Sequence, residues 1–114
     1  MKTDIVIPTY QRERKLINVL KSIESTKRKL TIKVYVYFSS YDELNAFARK
    51  YRRPWLELHI VTNYKTTTFW NNHMLHCKAD AMMYLNDDIL LSDDTLKIVY
   101  NKFQEHFPDY DGVL

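Results

Sequence analysis

Asp87 and Asp88 stand at the end of the apolar run Ala81-Met82-Met83-Tyr84-Leu85, separated from it by Asn86. The run reads as a buried strand. Like charges side by side at its carboxyl end repel each other, and burial strips their water. A bound divalent cation would relieve both costs, so these residues point first to a metal-assisted anion site. The plainer alternative is a turn and helix-capping cluster shared with Asp93 and Asp94. His73, His76 and Cys77 fall on neighbouring helical positions and could ligate zinc, but a structural zinc site takes four ligands and the sequence shows no second cluster. A helix face with Cys77 buried and His76 exposed is the better expectation. The one glycine, Gly112, argues against a phosphate-binding glycine loop or a dinucleotide fingerprint. No nucleophile elbow is present.

A carboxylate pair needs a rigid support, and the surrounding pattern supplies one. Ile5-Val6-Ile7 is a short strand closed by Pro8, followed by Leu16, Ile17, Leu20 and Ile23 at helical spacing. Ile32 to Phe38 is β-branched and aromatic, and Leu44, Phe47, Ala48 and Tyr51 mark a second helix. After the break at Pro54, Leu58 to Val61 gives a third strand. Threonines 66–68 open a helix whose inner face is Trp70, His73 or Met74, and Cys77. Strand four runs from Ala81 to Leu85, Ser92-Asp93-Asp94 caps a helix carrying Leu96, Val99, Tyr100, Phe103 and Phe107, and Gly112-Val113-Leu114 begins a fifth strand.

This alternation predicts an α/β protein, a Rossmann-like three-layer α/β/α arrangement with a mostly parallel sheet and right-handed crossovers. Ligands in such sheets bind beyond the carboxyl ends of the strands, where the winding reverses. With strand order 3-2-1-4 the reversal falls between strands one and four. Pro8-Thr9-Tyr10 then lies beside Asn86-Asp87-Asp88.

The 114 residues leave room for a single domain, and an apolar fraction of 46% is that of a globular protein. No apolar stretch is long enough to span a bilayer, and Met1-Lys2-Thr3-Asp4 leads straight into a strand pattern, so the expected compartment is cytoplasmic. The lone Cys77 rules out an internal disulfide framework. The net charge of +3 divides unevenly: residues 1–60 carry 13 Lys/Arg against 6 Asp/Glu, and residues 61–114 carry 4 against 8. A basic half and an acidic half could together hold an anion and its metal. Lys27-Arg28-Lys29 and Arg49-Lys50-Tyr51-Arg52-Arg53 are otherwise read as solvated helix ends.

Asp4-Ile5-Val6-Ile7-Pro8-Thr9-Tyr10-Gln11-Arg12 resembles the opening of family 2 glycosyltransferases of the GT-A fold, whose first strand ends in a Pro-Thr-Tyr-Asn-Arg stretch. Tyr84-Leu85-Asn86-Asp87-Asp88-Ile89 is similar to their metal-binding Asp-x-Asp motif, with Asn in the first acidic place. The resemblance runs over the whole chain, including Phe107-Pro108-Asp109-Tyr110-Asp111-Gly112-Val113. It implies transfer of a sugar from a nucleotide-diphosphate donor, most simply a UDP-sugar, with Mn2+ or Mg2+ neutralising the leaving diphosphate. By the same resemblance Asp88 is the direct metal ligand. Asp87 binds the ribose or a metal-bound water, and Asn86 donates a hydrogen bond nearby. Pro8, Thr9, Tyr10, Arg12, Ser39, Asn72 and Asp87 form the nucleotide-binding set, with Arg12 approaching the phosphates.

The pattern also departs from the family. Where many members end strand two with an acidic residue that bonds uracil, this chain has Tyr37-Phe38-Ser39-Ser40, so either Ser39 or Asp42 takes its place or a different base is preferred. The usual Ala-Arg-Asn-x-Gly segment appears as Trp70-Asn71-Asn72-His73-Met74, so Lys65 is the substitute for the missing phosphate-facing arginine. The chain is expected to be the N-terminal, nucleotide-sugar-binding half, residues 1–114, of a longer enzyme. The acceptor surface and the catalytic base belong to the absent half, and Glu105 and Asp111 receive no catalytic role. An unpaired edge strand makes a homo-oligomer an expected state. The rival reading is a nucleotide- or nucleic-acid-binding module without transferase activity, built on nine tyrosines and the basic first half. Nucleic acid is the less expected partner, because Tyr35, Tyr37 and Tyr84 fall in core strands. A phosphoacceptor domain of receiver type would need acids after strand one, where Pro8-Thr9 stands.

Overall fold

The computed structural model describes residues 2–26, 31–61 and 68–90, together with Ile98, Asn101 and Lys102. The element order is β1 (Lys2–Thr9), α1 (Glu13–Thr26), β2 (Thr31–Phe38), α2 (Tyr41–Lys50), β3 (Leu56–Ile60), α3 (Thr68–His76) and β4 (Ala81–Tyr84). The strands form one parallel sheet in the order β3-β2-β1-β4. This is the predicted topology. Of the helix predicted from Leu96, the described residues Ile98, Asn101 and Lys102 are helical. The cap at Ser92-Asp93-Asp94, the strand at Gly112, Lys65, Glu105 and Asp111 lie outside the described residues.

Period-two alternation divides the strands between two cores. Ile5 and Ile7 of β1, Val34, Val36 and Phe38 of β2, and Leu85 just after β4 face α1 and α2. They pack against Leu16, Val19, Leu20 and Ile23, which recur along one stripe of α1, and against Phe47 and Tyr51. Val6, Tyr37 and Met82 belong to the opposite face with Val61, and Cys77 at the end of α3 packs there. The result is three layers.

Helix α2 begins where Ser40 accepts a hydrogen bond on its side chain from Glu43 N–H at 3.1 Å. Asp42 and Glu43 in its first turn and Arg49 and Lys50 in its last turn complement the helix dipole. Lys50 reaches Glu13 and Arg53 reaches Glu24, both at 2.7 Å, tying the end of α2 to α1. Much of the Arg49–Arg53 basic run is thus engaged with groups of the protein at a helix end.

β1 is longer than the sequence pattern suggests, extending on both sides of Ile5-Val6-Ile7 to include Asp4 and Pro8. Pro8 fits for a geometric reason. Val6 accepts from Leu85 N–H at 3.0 Å, so its backbone polar groups face β4. Pro8, two residues on, faces the same side beyond the last β1–β4 pair, Val6↔Tyr84, where its missing N–H costs no ladder bond. β3 likewise starts earlier than expected, at Leu56, because Val34 N–H donates to Trp55 C=O at 2.8 Å and sets the register directly after Pro54.

Phe47 is fully buried against Phe38 and Tyr51, with ring centroids 5.5 and 5.9 Å away. Phe47→Ala is expected to destabilise the chain by about 3–5 kcal/mol in urea denaturation. The exposed Tyr41→Ala should stay within about 0.5 kcal/mol of the parent. Similar costs for the two would contradict the assignment of α2's inner face.

Candidate functional site

β1 ends at Thr9, and the chain reverses through Tyr10 and Gln11 into α1. Gln11 adopts φ 52°, the left-handed region, which costs a non-glycine residue about 1 kcal/mol. Its N–H is held by the Glu43 carboxylate at 2.5 Å, so a first-turn residue of α2 also pins this turn. Arg12 follows, its carbonyl accepting from Leu16 N–H at 2.9 Å to start α1. On the other side, β4 runs into Leu85 and then into a turn in which Asn86 C=O accepts from Ile89 N–H at 3.4 Å. That turn presents Asp87 and Asp88.

The two segments meet. Thr9 Oγ1 donates to Asp87 Oδ2 at 3.0 Å, and Arg12 Nη1 lies 3.3 Å from Asp87 Oδ1 and 3.5 Å from Asp88 Oδ2. The Asp87 side chain is 9% exposed and that of Asp88 44%. A buried carboxylate requires partners, and Asp87 has one on each oxygen. Burial, with the Asp87 charge beside it, pushes the Tyr84 phenol above its usual range. A cleft of about 350 Å³ opens here, lined by Pro8, Tyr10, Arg12, Asn86, Asp87 and Asp88. Thr9 is buried beneath it at 1% exposure. Ser39 is half-buried at the end of β2 and does not line the cleft, and Asp42 is exposed in the first turn of α2. Asn72 lies on α3, with its side chain outside the described residues.

Oxygen donors of this kind suit a hard divalent ion such as Mg2+ or Mn2+. Asp88 is half-exposed and, among the described residues, has one long contact, from Arg12, on one of its oxygens, so it offers the more available carboxylate. Asn86, exposed beside it, adds a carbonyl oxygen. Asp87 is the more committed of the pair, since Thr9 and Arg12 already occupy both of its oxygens.

A second polar cluster lies on the opposite face of the sheet. Of the alternatives for the inner face of α3, His73 is buried and Met74 is exposed. His73 Nε2 is 2.9 Å from Asp4 Oδ2, and its Nδ1 is 2.8 Å from Tyr37 Oη. Because a carboxylate can only accept, Nε2–H donates to Asp4, and in the neutral imidazole Nδ1 then accepts from the Tyr37 hydroxyl. Cys77 Sγ donates to the same Asp4 oxygen at 3.2 Å. Burial pushes Tyr37 up to about 12 and also raises the Cys77 thiol. Asp4 is the residue that sequence reasoning misses. Its signal is its phase, since it shares a face with Val6 within a strand whose interior is buried on both sides.

A family model for glycosyl transferase family 2 matches residues 4–113. The chain belongs to this family. Its membership covers both loops of the cleft, the one after β1 and the one after β4. No curated protein matches the chain. Among solved structures, TarS 1–349 from S. aureus superposes with TM-score 0.76 at 22% identity, over 93% of this chain and 33% of that one. The same protein in complex with UDP-GlcNAc gives 0.75 at 22% identity, over 93% and 32%. Its complex with UDP gives 0.66 at 17%, over 93% and 33%. The family 2 chain therefore has a GT-A-like fold and spans about a third of the length of the TarS structures it matches. No helix among the described residues is long and apolar enough to cross a membrane.

Thr9→Val, nearly isosteric, removes the buried donor to Asp87 and is expected to cost about 1–3 kcal/mol in urea denaturation. Arg12→Gln, at a half-exposed ion pair, should cost less than about 1 kcal/mol. The reverse order would show that the guanidinium, not the hydroxyl, holds Asp87 in place.

Proposed function

We propose that this chain is the nucleotide-sugar-binding part of a GT-A glycosyltransferase, hexosyltransferase-like, taking a UDP-sugar in the cleft between β1 and β4. The observation that carries this reading is the meeting of Thr9 and Arg12 with Asp87 and Asp88 at the winding reversal. Family membership and the similarity to a protein crystallised with UDP-GlcNAc and with UDP support it.

Asp88 would hold the divalent ion, Mn2+ or Mg2+, with Asp87 as the second carboxylate of the pair. When bound, the ion supplies Lewis-acid neutralisation of the departing nucleoside diphosphate. Thr9 keeps Asp87 in place as a positioning residue, and Asp87 is set to accept from a ribose hydroxyl or a metal-bound water. Arg12 balances the two carboxylates in the free protein. Its guanidinium, a planar donor matched to phosphate oxygens, would be available to the diphosphate of a bound donor. Tyr10, 55% exposed at the mouth, offers its ring to the base, and Pro8 forms the wall. Ser39, just after β2 and outside the cleft lining, and Asn72 on α3 remain members of the proposed nucleotide set. The acceptor surface and the base that deprotonates the acceptor hydroxyl lie outside this chain in our reading, so residues 1–114 bind the donor but do not transfer the sugar alone. The rival nucleic-acid module finds little support in the Arg49–Arg53 run, where Lys50 and Arg53 are paired with carboxylates and Arg52 bonds the Ala48 carbonyl at 2.9 Å.

Calorimetric titration with UDP, GDP and UDP-GlcNAc, with and without Mn2+, tests the proposal. UDP and UDP-GlcNAc should bind in a Mn2+-dependent manner, and Asp88→Ala should weaken that binding at least tenfold, about 1.4 kcal/mol. Binding that ignores both Mn2+ and the Asp88 substitution would refute the metal-centred site.

A further inference from the structure

We propose that Asp4, His73 and Cys77 form a second cation site, separate from the donor cleft, selective for a divalent ion that accepts thiolate and imidazole ligands, Zn2+ foremost. Three chemically different ligand atoms, from β1 and from the end of α3, lie within 4.8 Å of one another. They converge on one point, because His73 Nε2 and Cys77 Sγ both approach the same oxygen of Asp4, at 2.9 and 3.2 Å. Ligands around a tetrahedral zinc are separated by roughly 3.3–3.5 Å, given bonds of about 2.0 Å to N and O and 2.3 Å to S. Widening the two Asp4 contacts by roughly 0.3–0.4 Å, and bringing Nε2 and Sγ, which lie within 4.8 Å of each other, to roughly 3.5 Å, would admit the ion.

The surroundings are those of a metal site as well. A ligating imidazole is normally oriented by a partner on its other nitrogen, and Tyr37 Oη occupies that place at 2.8 Å. Asp4 and His73 are buried and Cys77 is half-buried, so the ligands are held by packing. One carboxylate and one thiolate together cancel the charge of a divalent ion, which makes a buried complex electrically neutral. Beside the cluster lies a cavity of about 1020 Å³, lined in part by Asp4, Tyr35, Tyr37, His59 and His73, from which a water can supply the fourth ligand. His76 is exposed, and the set excludes it.

Proton balance is simple. The thiol proton of Cys77 is released to solvent as the sulfur–metal bond forms. The His73 proton moves from Nε2 to Nδ1, where it is donated to Tyr37 Oη. One proton leaves per ion bound. Asp4 lies five residues before Thr9 on β1, roughly 16 Å along the strand, and points to the other face of the sheet, so the two sites do not share ligands.

Titration of the chain with Co2+ alone tests the site, since cobalt bound to a thiolate shows a near-ultraviolet charge-transfer band that oxygen-only sites lack. The expected result is a band saturating at one ion per chain and displaced by Zn2+. Cys77→Ser should abolish it, and Asp4→Asn should weaken Co2+ binding at least tenfold. Both substitutions keep a hydrogen-bonding group of similar size, and circular dichroism verifies that they fold. Asp88→Ala, in the donor cleft, should leave the band unchanged. Zn2+ should also raise the thermal midpoint of the parent chain but not of Cys77→Ser. Absence of the band at saturating Co2+, or its persistence in Cys77→Ser, overturns the proposal and reduces the cluster to a hydrogen-bonded brace.

Discussion

β1 is hydrogen-bonded along both edges and largely covered on both faces, and the buried polar residues it carries have to be reconciled with that position. A strand in that position leaves its buried side chains little water, so a buried polar residue on it needs a partner within the protein. Thr9 finds Asp87, and Asp4 finds His73 and Cys77. These contacts cross 78, 69 and 73 residues of chain, so each fixes a distant element to the central strand. The loop after β4 is held at one end of β1, and α3 is held on the face where Asp4 points. Apolar burial supplies the bulk of the driving force, but it tolerates rotation and slippage more readily than a paired carboxylate does.

The charge distribution acquires a meaning at the same place. The first half of the chain is basic and the second acidic, and their opposite charges meet where Arg12 lies between Asp87 and Asp88. Elsewhere Lys50 and Arg53 are drawn to Glu13 and Glu24, where they support packing of α2 against α1 without defining a site. Arg12 differs because the residue before it is constrained twice, by the left-handed backbone of Gln11 and by the Glu43 carboxylate that holds Gln11 N–H. A cation fixed between two carboxylates at a sheet reversal is a suitable resting arrangement for the exchange of positive charge that the proposed function asks of this site.

Much of the fold is legible in the sequence because few topologies satisfy strict alternation of strands and helices with right-handed crossovers. The order β3-β2-β1-β4 and the approach of Pro8-Thr9-Tyr10 to Asn86-Asp87-Asp88 follow from that restriction. Element ends are less legible. Asp4 and Pro8 look like breaks in strand one when each is judged by its own propensity, yet both lie within β1. Asp4 is accommodated by partners that are distant in sequence, and Pro8 by the end of the neighbouring strand. The inner face of α3 is ambiguous for a related reason: His73 and Met74 are adjacent, and hydrophobicity favours the methionine. Asp4 and Tyr37 decide in favour of the histidine, since each supplies a bond that Met74 cannot make.

The sequence by itself determined the class of fold, the order of the strands, the two loops that form the cleft and the family to which the chain belongs. These rest on local pattern, period and chain order, which are properties of the linear chain. Only the tertiary structure decided how the groups are paired: that both oxygens of Asp87 are occupied while Asp88 stays more open, that Arg12 faces carboxylates in the free protein, and that Asp4, His73 and Cys77 converge. Pairing depends on distances of about 3 Å between atoms far apart in sequence. No local pattern encodes those distances, and folding sets them by requiring that buried polar groups be satisfied.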